Sequence, residues 1–151
     1  MSRIIIGIDP GKRGGLAVKH PGHDPGRAAM PPTPGDLVDL LAGWSRAGDC
    51  VCYLEKLTGV VGGKFMQGMF KFGEGYGVIQ GALLALGIET HLVTPQAWQK
   101  RLGLGTRGDM TTTQWKNKLK AEAQRLFPGP VTLATADALL ILRYAILEER
   151  E

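Results

Sequence analysis

The stretch "RIIIGIDPGKRGGLAV", residues 3–18, decides the fold, because it joins a nearly continuous apolar run to a turn and a second apolar segment. A run such as residues 4–9 is typical of a strand that is buried on both faces. The strand nevertheless ends in a carboxylate, Asp9, which Pro10 and Gly11 follow. Asp-Pro-Gly favours a turn, since proline fixes φ and glycine accepts positive φ. The sequence leaves open whether Asp9 only begins this turn or is held on a rigid strand to bind a cation.

The rest of the chain alternates between strand and helix patterns. After the first strand, further strands are predicted at residues 14–20, 26–30, 49–55 and 88–94. Helices are predicted to begin at Pro34 and Pro95 and to cover residues 70–87, 113–126 and 135–148. This order predicts an α/β fold with helices on both faces of a five-stranded mixed sheet. The first three strands are expected to be antiparallel, and the fourth and fifth parallel.

The composition is that of an ordinary globular protein. The chain has 151 residues, of which 44% are hydrophobic, and no run approaches the roughly 18 apolar residues that a membrane span needs. The N-terminus meets a Pro-Gly turn too early for a signal peptide. We therefore expect residues 1–151 to form a single domain in a cytosolic compartment, with no membrane partner. Cys50 and Cys52 share one face of a predicted strand, which favours buried apolar residues over a disulfide or a zinc site.

Positive charge is concentrated in one part of the chain. The formal net charge is +4, and residues 96–127 contain seven basic residues against two acids. A local basic surface suits a polyanion such as nucleic acid. A solvated helix face would give the same pattern, so charge alone leaves both interpretations open.

Three acids interrupt or end apolar segments. Asp9 ends the first predicted strand, Glu55 ends the fourth, and Asp137 lies in what we predict to be the first turn of the last helix. If the two strands are neighbours and the helix packs on them, the three carboxylates converge and repel one another unless a cation neutralises them. Hard oxygen ligands of this kind select Mg²⁺ or Mn²⁺, which can support phosphodiester cleavage. Taken singly, the acids are better explained by a turn, a surface strand end and a favourable helix-dipole position, but their combination favours a shared site.

The segments that carry these acids resemble a known family. "GIDPGKRGGLAV", "YLEK" and "ADALLILRYA" resemble the RuvC family of Holliday-junction resolvases, in the ribonuclease H-like superfamily, and most of all its short phage-type endonucleases. "FMQGMFKFGEGYG", "VTPQAWQKRLGL" and "LKAEAQRLFP" extend the resemblance through the middle of the chain. It implies a homodimeric, Mg²⁺-dependent endonuclease, with Mn²⁺ as a substitute, that nicks four-way junctions and other branched DNA in pairs. It also implies that Asp9, Glu55 and Asp137 are catalytic metal ligands, and it places the protein in a bacterial or phage-infected cell.

One position departs from the family pattern. The family has a fourth ligand, Asp or His, three or four residues before the acid that Asp137 matches. Those positions are Ala134 and Leu133 here, with Thr132 and Thr135 nearby. A threonine hydroxyl is a weak substitute for a carboxylate, so the departure predicts a weakened or missing metal site. It keeps open the alternative of a non-catalytic protein that binds branched DNA.

Several basic and aromatic residues are candidates for contact with DNA. Lysines supply phosphate contacts, and aromatic rings beside them can stack on unpaired bases. The DNA-binding candidates are Lys64, Phe65, Lys71, Lys116 and Lys118. Of the two lysines before the final helices, the resemblance favours Lys118. Phe70 and Phe72 are expected to pack in the core, whereas Phe65, on a glycine-rich loop, is the better stacking candidate.

Two further features complete the prediction. Gly73, Gly77 and Gly81 recur every four residues on one helix face, which indicates close approach to the sheet or to another subunit. "GIDPGK" superficially suggests a phosphate-binding loop, but the spacing of the nucleotide-binding motif is absent. An actin-like ATP-binding domain also opens with an acid-glycine hairpin. That class needs about twice this length and a threonine-rich phosphate contact, so it ranks below both DNA-binding hypotheses.

Overall fold

The computed structural model of the chain describes residues 2–57 and 67–150. The strands are Ile4–Asp9 (β1), Gly15–Lys19 (β2), Gly26–Ala29 (β3), Cys50–Glu55 (β4) and Glu89–Val93 (β5). They form one sheet in the order β3-β2-β1-β4-β5. β1 pairs antiparallel with β2 and β2 with β3, whereas β4 runs parallel to both β1 and β5. The predicted mixed five-stranded sheet is therefore confirmed.

Threonine residues cap the N-termini of four of the helices. The helices are Pro34–Ser45 (α1), Gln67–Ala85 (α2), Pro95–Arg101 (α3), Thr112–Leu126 (α4) and Leu133–Glu149 (α5). The threonine hydroxyl before α1, α3, α4 and α5 accepts a hydrogen bond from a backbone N–H of the first turn. Among the described residues, no helix is long and apolar enough to cross a membrane.

The last helix begins two residues earlier than predicted. Thr132 and Thr135 form a reciprocal capping box, in which each side chain bonds to the other's backbone N–H, so α5 starts at Leu133. Asp137 therefore lies in the second turn of α5, and its predicted place in the first turn is wrong. The attraction of a carboxylate to a helix N-terminus falls off within the first turn, so it gives little reason for an acid at this position.

Two hydrophobic layers enclose the sheet. On one face, residues of β1, β2 and β4 pack against α3, α4 and α5, with Ile5, Val51 and Trp98 among the buried side chains. On the other face, Ile6 and Ile8 pack against α1 and α2 together with both cysteines. Cys50 and Cys52 are free thiols within this second core, which confirms their predicted burial.

Two glycines let α5 lie directly on the sheet. A methyl group added at Gly7 of β1 would lie 2.7 Å from the carbonyl oxygen of Ala138, and one added at Gly15 of β2 would lie 2.5 Å from the carbonyl oxygen of Ala134. Only a residue without a side chain permits backbone contact at these two points. Because Asp137 lies between the two contact points along α5, the glycines fix its height above the strands.

Candidate active site

Asp9 and Glu55 project from the same face of the sheet at the same end. Side chains alternate along a strand, and Gly7, two residues before Asp9, faces α5. Val51 and Tyr53 belong to the core beneath α5, so Glu55, two residues further along β4, also points to that face. β1 and β4 are parallel, with Ile8 opposite Leu54, so the next residues of the two strands are adjacent. The strand order thus brings the two carboxylates to one edge of the α5 face.

Asp137 joins them from above. α5 crosses β1 and β2 at the glycine contacts, and the carboxylate of Asp137 comes within electrostatic reach of both strand acids. Each of the three side chains is partly buried. The three acids predicted from the sequence to meet therefore lie on one face, at one end of the sheet.

The electrostatics of the group are unfavourable to ionisation. Burial, and then repulsion from Asp137 and Glu55, raises the pKa of Asp9 to about 8. Burial raises the pKa of Glu55 to about 7, although a hydrogen bond opposes the rise and repulsion from Asp137 adds to it. Burial also raises the pKa of Asp137 to about 6. Lys116 is the cation that lowers the pKa of both Asp9 and Asp137. Even with Lys116 nearby, the pKa values of Asp9 and Asp137 stay well above their ordinary value, so the lysine does not fully stabilise the ionised acids.

A cavity of about 430 Å³ opens at this edge of the sheet. Asp9, Asp137 and Lys116 line it, together with the turn between β1 and β2 and the ring of Phe72. A larger cavity, of about 600 Å³, lies at the opposite end of β1 between Ile4, His20 and Asp49. The smaller cavity is the candidate site, because it is lined by Asp9 and Asp137, two of the three acids whose pKa values are raised.

Glu55 borders the site without lining the cavity. Its Oε2 accepts a 2.8 Å hydrogen bond from Nε1 of Trp98, which lies on α3. Within residues 2–57 and 67–150, no group of three or more His, Cys, Asp or Glu side chains is placed so that it could hold a metal ion as it stands. The structure therefore gives a shared edge for three carboxylates, with Asp9 and Asp137 on the cavity and Glu55 held by its indole partner.

No protein-family model matches the chain, and no curated protein matches it in sequence. In structure, the chain is similar to RuvC from Thermus thermophilus, with a TM-score of 0.62 and 16% identity over 97% of this chain and 95% of that one. It is also similar to T. thermophilus RuvC in complex with a Holliday junction substrate, with a TM-score of 0.64 and 16% identity over 99% and 96% of the two chains. The fold is RuvC-like. The resemblance first indicated by short motifs is thus confirmed for the fold.

Within this RuvC-like fold, Lys116 and Lys118 have different surroundings. Lys116 lines the cavity beside Asp9 and Asp137. Lys118 donates a 2.9 Å hydrogen bond from Nζ to the carbonyl oxygen of Leu104, and its ammonium lies 5.5 Å from the centre of the Trp115 ring. The geometry favours Lys116 as the lysine of the site, whereas Lys118 joins α4 to the loop after α3.

The other DNA-binding candidates are only partly within the structure. Lys64 and Phe65 lie outside the described residues. Lys71 is exposed at the start of the second turn of α2. Phe70 is 58% exposed and Phe72 36% exposed, so the expectation that both pack in the core is wrong. Phe72 instead covers the β1–β2 turn, where its ring would lie 2.9 Å from a methyl group added at Gly11.

The position of the missing fourth ligand is occupied by structural contacts. The hydroxyls of Thr132 and Thr135 serve the capping box of α5. The backbone of Ala134 packs on Gly15, and Leu133 is 53% exposed. Both threonine hydroxyls are therefore engaged in the helix cap, so neither is free to stand in for the Asp or His ligand that the family resemblance predicts near this position.

Sequence reasoning missed two cations and one aromatic ring at the cavity. Lys12 and Arg13 form the exposed tip of the β1–β2 turn and line the cavity with Phe72. In the sequence, Lys12 stands out only as the last residue of "GIDPGK", which superficially suggests a nucleotide-binding loop. A useful signal was available, because residues directly after Asp9 must lie next to any site that Asp9 helps to form.

The glycine stripe of α2 faces open space. A methyl group added at Gly73, Gly77 or Gly81 would meet no atom within 4 Å. The stripe therefore makes no close approach to the described part of the sheet. On the same helix, Leu84 is 81% exposed, which adds an apolar residue to the outer surface.

Proposed function

We propose that the protein is a Mg²⁺-dependent, structure-selective DNA endonuclease that resolves four-way junctions and other branched DNA by paired nicks. The observation that carries the proposal is the convergence of Asp9, Glu55 and Asp137 at one edge of a RuvC-like sheet. One of the similar solved structures is RuvC in complex with a Holliday junction substrate. We also propose the cytoplasm, where DNA is accessible, as the site of action.

The residues present fit a hard divalent cation in their chemistry. Their carboxylate oxygens are the ligands that Mg²⁺ and Mn²⁺ prefer. Burial makes their charges costly, repulsion adds to the cost for Asp9, and the attraction of Lys116 does not return the pKa of Asp9 or Asp137 to its ordinary value. Asp9 and Asp137 would hold the ion on the cavity side, and Glu55 would hold it from the neighbouring strand. A cation bound there would supply an activated water and stabilise the leaving oxygen of a phosphodiester.

The remaining cavity residues would hold and orient the DNA strand. Lys116, at the acids, would contact the phosphate next to the cleaved bond. Lys12 and Arg13, at the tip of the turn, would hold a neighbouring phosphate of the same strand. Phe72 presents an exposed ring at the mouth of the cavity, where it would stack on a base unpaired at the branch point. These roles extend the predicted set, which also includes Lys71.

Paired nicks require two sites related by symmetry. We propose a homodimer with a two-fold axis, in which the open glycine face of α2 contacts a second copy of the chain. A large side chain in this face would keep the two backbones apart. Gly77→Leu should therefore weaken self-association in sedimentation experiments, and an unchanged dimer would exclude this face as the contact.

A second candidate function is supported by the fourth-ligand position. Ala134 supplies no ligand there, so the protein could bind branched DNA without cleaving it. A labelled four-way junction incubated with the protein and Mg²⁺ or Mn²⁺ separates the two functions. Nicking that is lost in Asp9→Asn, with binding intact, supports the endonuclease. Binding without nicking supports the second candidate, and a gain of nicking in Ala134→Asp would identify the missing carboxylate as the reason.

A further inference from the structure

Trp98 combines complete burial with one polar atom that needs a partner. Its side chain is 1% exposed and lies in the core between α3, α4 and α5. The indole N–H of a buried tryptophan must find an acceptor, because an unpaired buried donor is costly. The acceptor here is a carboxylate of the candidate site, since Nε1 lies 2.8 Å from Oε2 of Glu55.

We propose that Trp98 is a positioning residue of the active site, which fixes the carboxylate of Glu55 in the direction needed to bind a divalent cation. The inference rests on the proposed function, since it assigns a role toward the same cation. The hydrogen bond takes one lone pair of Oε2 and stops the carboxylate from rotating. The carboxylate oxygens of Glu55 are thereby held in one orientation, within electrostatic reach of Asp9 and Asp137. Outer partners that orient metal ligands in this way change metal affinity when they are removed.

The local sequence holds the indole rigidly. Glu55 is paired with Val93, the last residue of β5, and Lys56 N–H donates to the carbonyl of Val93 at 2.7 Å. α3 starts directly after this pair, because Thr94 caps it and Pro95 occupies its first position. Trp98 follows one turn later. The residue that receives the hydrogen bond and the helix that gives it are therefore connected through a single strand end.

The other end of the short helix is also fixed. The backbone N–H of Leu102 donates to the carbonyl of Trp98, and that of Leu104 donates to Gln99. Lys118 then bonds to the carbonyl of Leu104 and ties the loop to α4. This chain of contacts gives Lys118 a role in supporting Trp98 and places no part of it on the cavity.

The alternative is that Glu55 merely satisfies a buried indole, with no consequence for metal binding. The proposal and this alternative differ in what happens when the N–H is removed and the packing is kept. Trp98→Phe removes the donor and leaves an aromatic ring in the core. Trp115→Phe is the matched control, because Trp115 packs against the same core without a hydrogen bond to the acids.

The decisive measurement is Mn²⁺ affinity, obtained from the electron paramagnetic resonance signal of free Mn²⁺ during titration. Trp98→Phe should bind Mn²⁺ about 10-fold more weakly or worse, the usual cost of losing an orienting partner, whereas Trp115→Phe should bind like the wild type. In junction cleavage, Trp98→Phe should need more Mn²⁺ for half-maximal rate and recover at saturating Mn²⁺. Equal Mn²⁺ affinity of Trp98→Phe and wild type would overturn the proposal and leave the endonuclease function standing.

A second variant and a second readout keep the test decisive. If Trp98→Phe fails to fold, 3-benzothienylalanine at position 98 keeps the two-ring shape and replaces the N–H by sulfur, and the same loss of Mn²⁺ affinity is expected. In the wild type, Mg²⁺ should shift the indole N–H resonance of Trp98 more than those of Trp44 and Trp115. Equal shifts would contradict the proposal, and a wild type that binds no Mn²⁺ would overturn the proposed function together with it.

Discussion

Acidic side chains at the two ends of β1 and β4 differ in their partners and in the direction of their pKa shifts. At the start of β1, Arg3 contacts three carboxylates: Nη2 lies 2.6 Å from Glu89, Nη1 3.2 Å from Glu149, and Nε 2.7 Å from Asp49 in an ion-pair contact rather than an aligned hydrogen bond. The hydrogen bond with Arg3 is the main reason that the pKa of Glu89 is lowered. At the far end, Asp9, Glu55 and Asp137 have raised pKa values.

This difference separates acids that are paired within the fold from acids that we propose to serve the reaction. Arg3 connects β1 to the ends of β5 and α5, so its acids are partners of a fixed cation that the chain itself provides. The acids at the other end face one another, with Lys116 as the cation that affects two of them. Such an arrangement carries a cost in stability, which the divalent cation that we propose would relieve.

The largest expected effect comes from removing one acid at the cavity end of β1. Asp9→Asn keeps the shape of the side chain and removes its charge. It should lower the rate of junction cleavage by about 10²–10³-fold or more, the size of losing a principal electrostatic stabiliser. Junction affinity, measured by gel shift in EDTA, should be unchanged. Asp49→Asn, which changes one of the acids paired with Arg3, is the control and should cleave like the wild type.

The pH dependence of stability should differ between the two ends. In metal-free protein, the pKa of Asp9 is about 8 in the fold against an ordinary value of 3.8, so the folded state binds its proton more tightly than the unfolded chain. Stability from this group is complete below about pH 4 and is lost as the pH rises toward 8. The raised pKa values of Glu55 and Asp137 act in the same direction.

Thermal unfolding in EDTA between pH 5 and pH 8 measures this effect. The melting temperature should fall as the pH rises, and Asp9→Asn should flatten the slope. Mg²⁺ should restore the melting temperature most at pH 8. Glu89 has a lowered pKa, so its contribution changes only at more acidic pH and does not mask the trend. A slope that Asp9→Asn leaves unchanged would show that other groups cause it.

The backbone contact that carries Asp137 to the site should be nearly as sensitive. Gly7→Ala adds a methyl group 2.7 Å from backbone atoms of Ala138 and Leu142, which cannot move without shifting α5. It should lower the free energy of unfolding by about 1–3 kcal/mol and also reduce cleavage, because Asp137 moves with the helix. Gly43→Ala in α1, which meets nothing within 4 Å, is the matched control and should leave stability equal or higher.

Removing Arg3, the cation at the other end of β1, should lower stability without affecting cleavage. Arg3→Ala leaves its three acids without their shared partner. The expected loss is about 1–2 kcal/mol, below that of a fully buried pair because the Arg3 side chain is 25% exposed. Urea unfolding measures the loss, and cleavage by the folded variant should stay at the wild-type rate. Arg125→Ala, which removes an exposed pair with Glu122, should change stability far less.

The sequence was sufficient for the fold and for the acids, and insufficient for their surroundings. Asp9 and Glu55 stand out because each ends an apolar strand, and this pattern is visible in the local sequence alone. The close contacts at Gly7 and Gly15 depend on where α5 crosses the sheet, which local patterns do not contain. The bond from Trp98 to Glu55 joins residues 43 positions apart through the pairing of β4 with β5. A tryptophan in an apolar pattern indicates core packing and gives no sign of its acceptor.

The smallest expected effect concerns Lys118. It tests which lysine stabilises the fold and which belongs to the candidate active site. Its ammonium bonds to the carbonyl of Leu104, so Lys118→Ala should lower the free energy of unfolding by about 0.5–1.5 kcal/mol, the usual net value of one such bond. Lys116→Ala should mainly slow cleavage, because Lys116 faces the acids, and should cost only the small stabilisation that its attraction to Asp9 and Asp137 supplies. Chemical denaturation and junction cleavage of the two variants separate the roles. The reverse result, with cleavage lost only in Lys118→Ala, would identify Lys118 as the functional lysine and exclude Lys116 from that role.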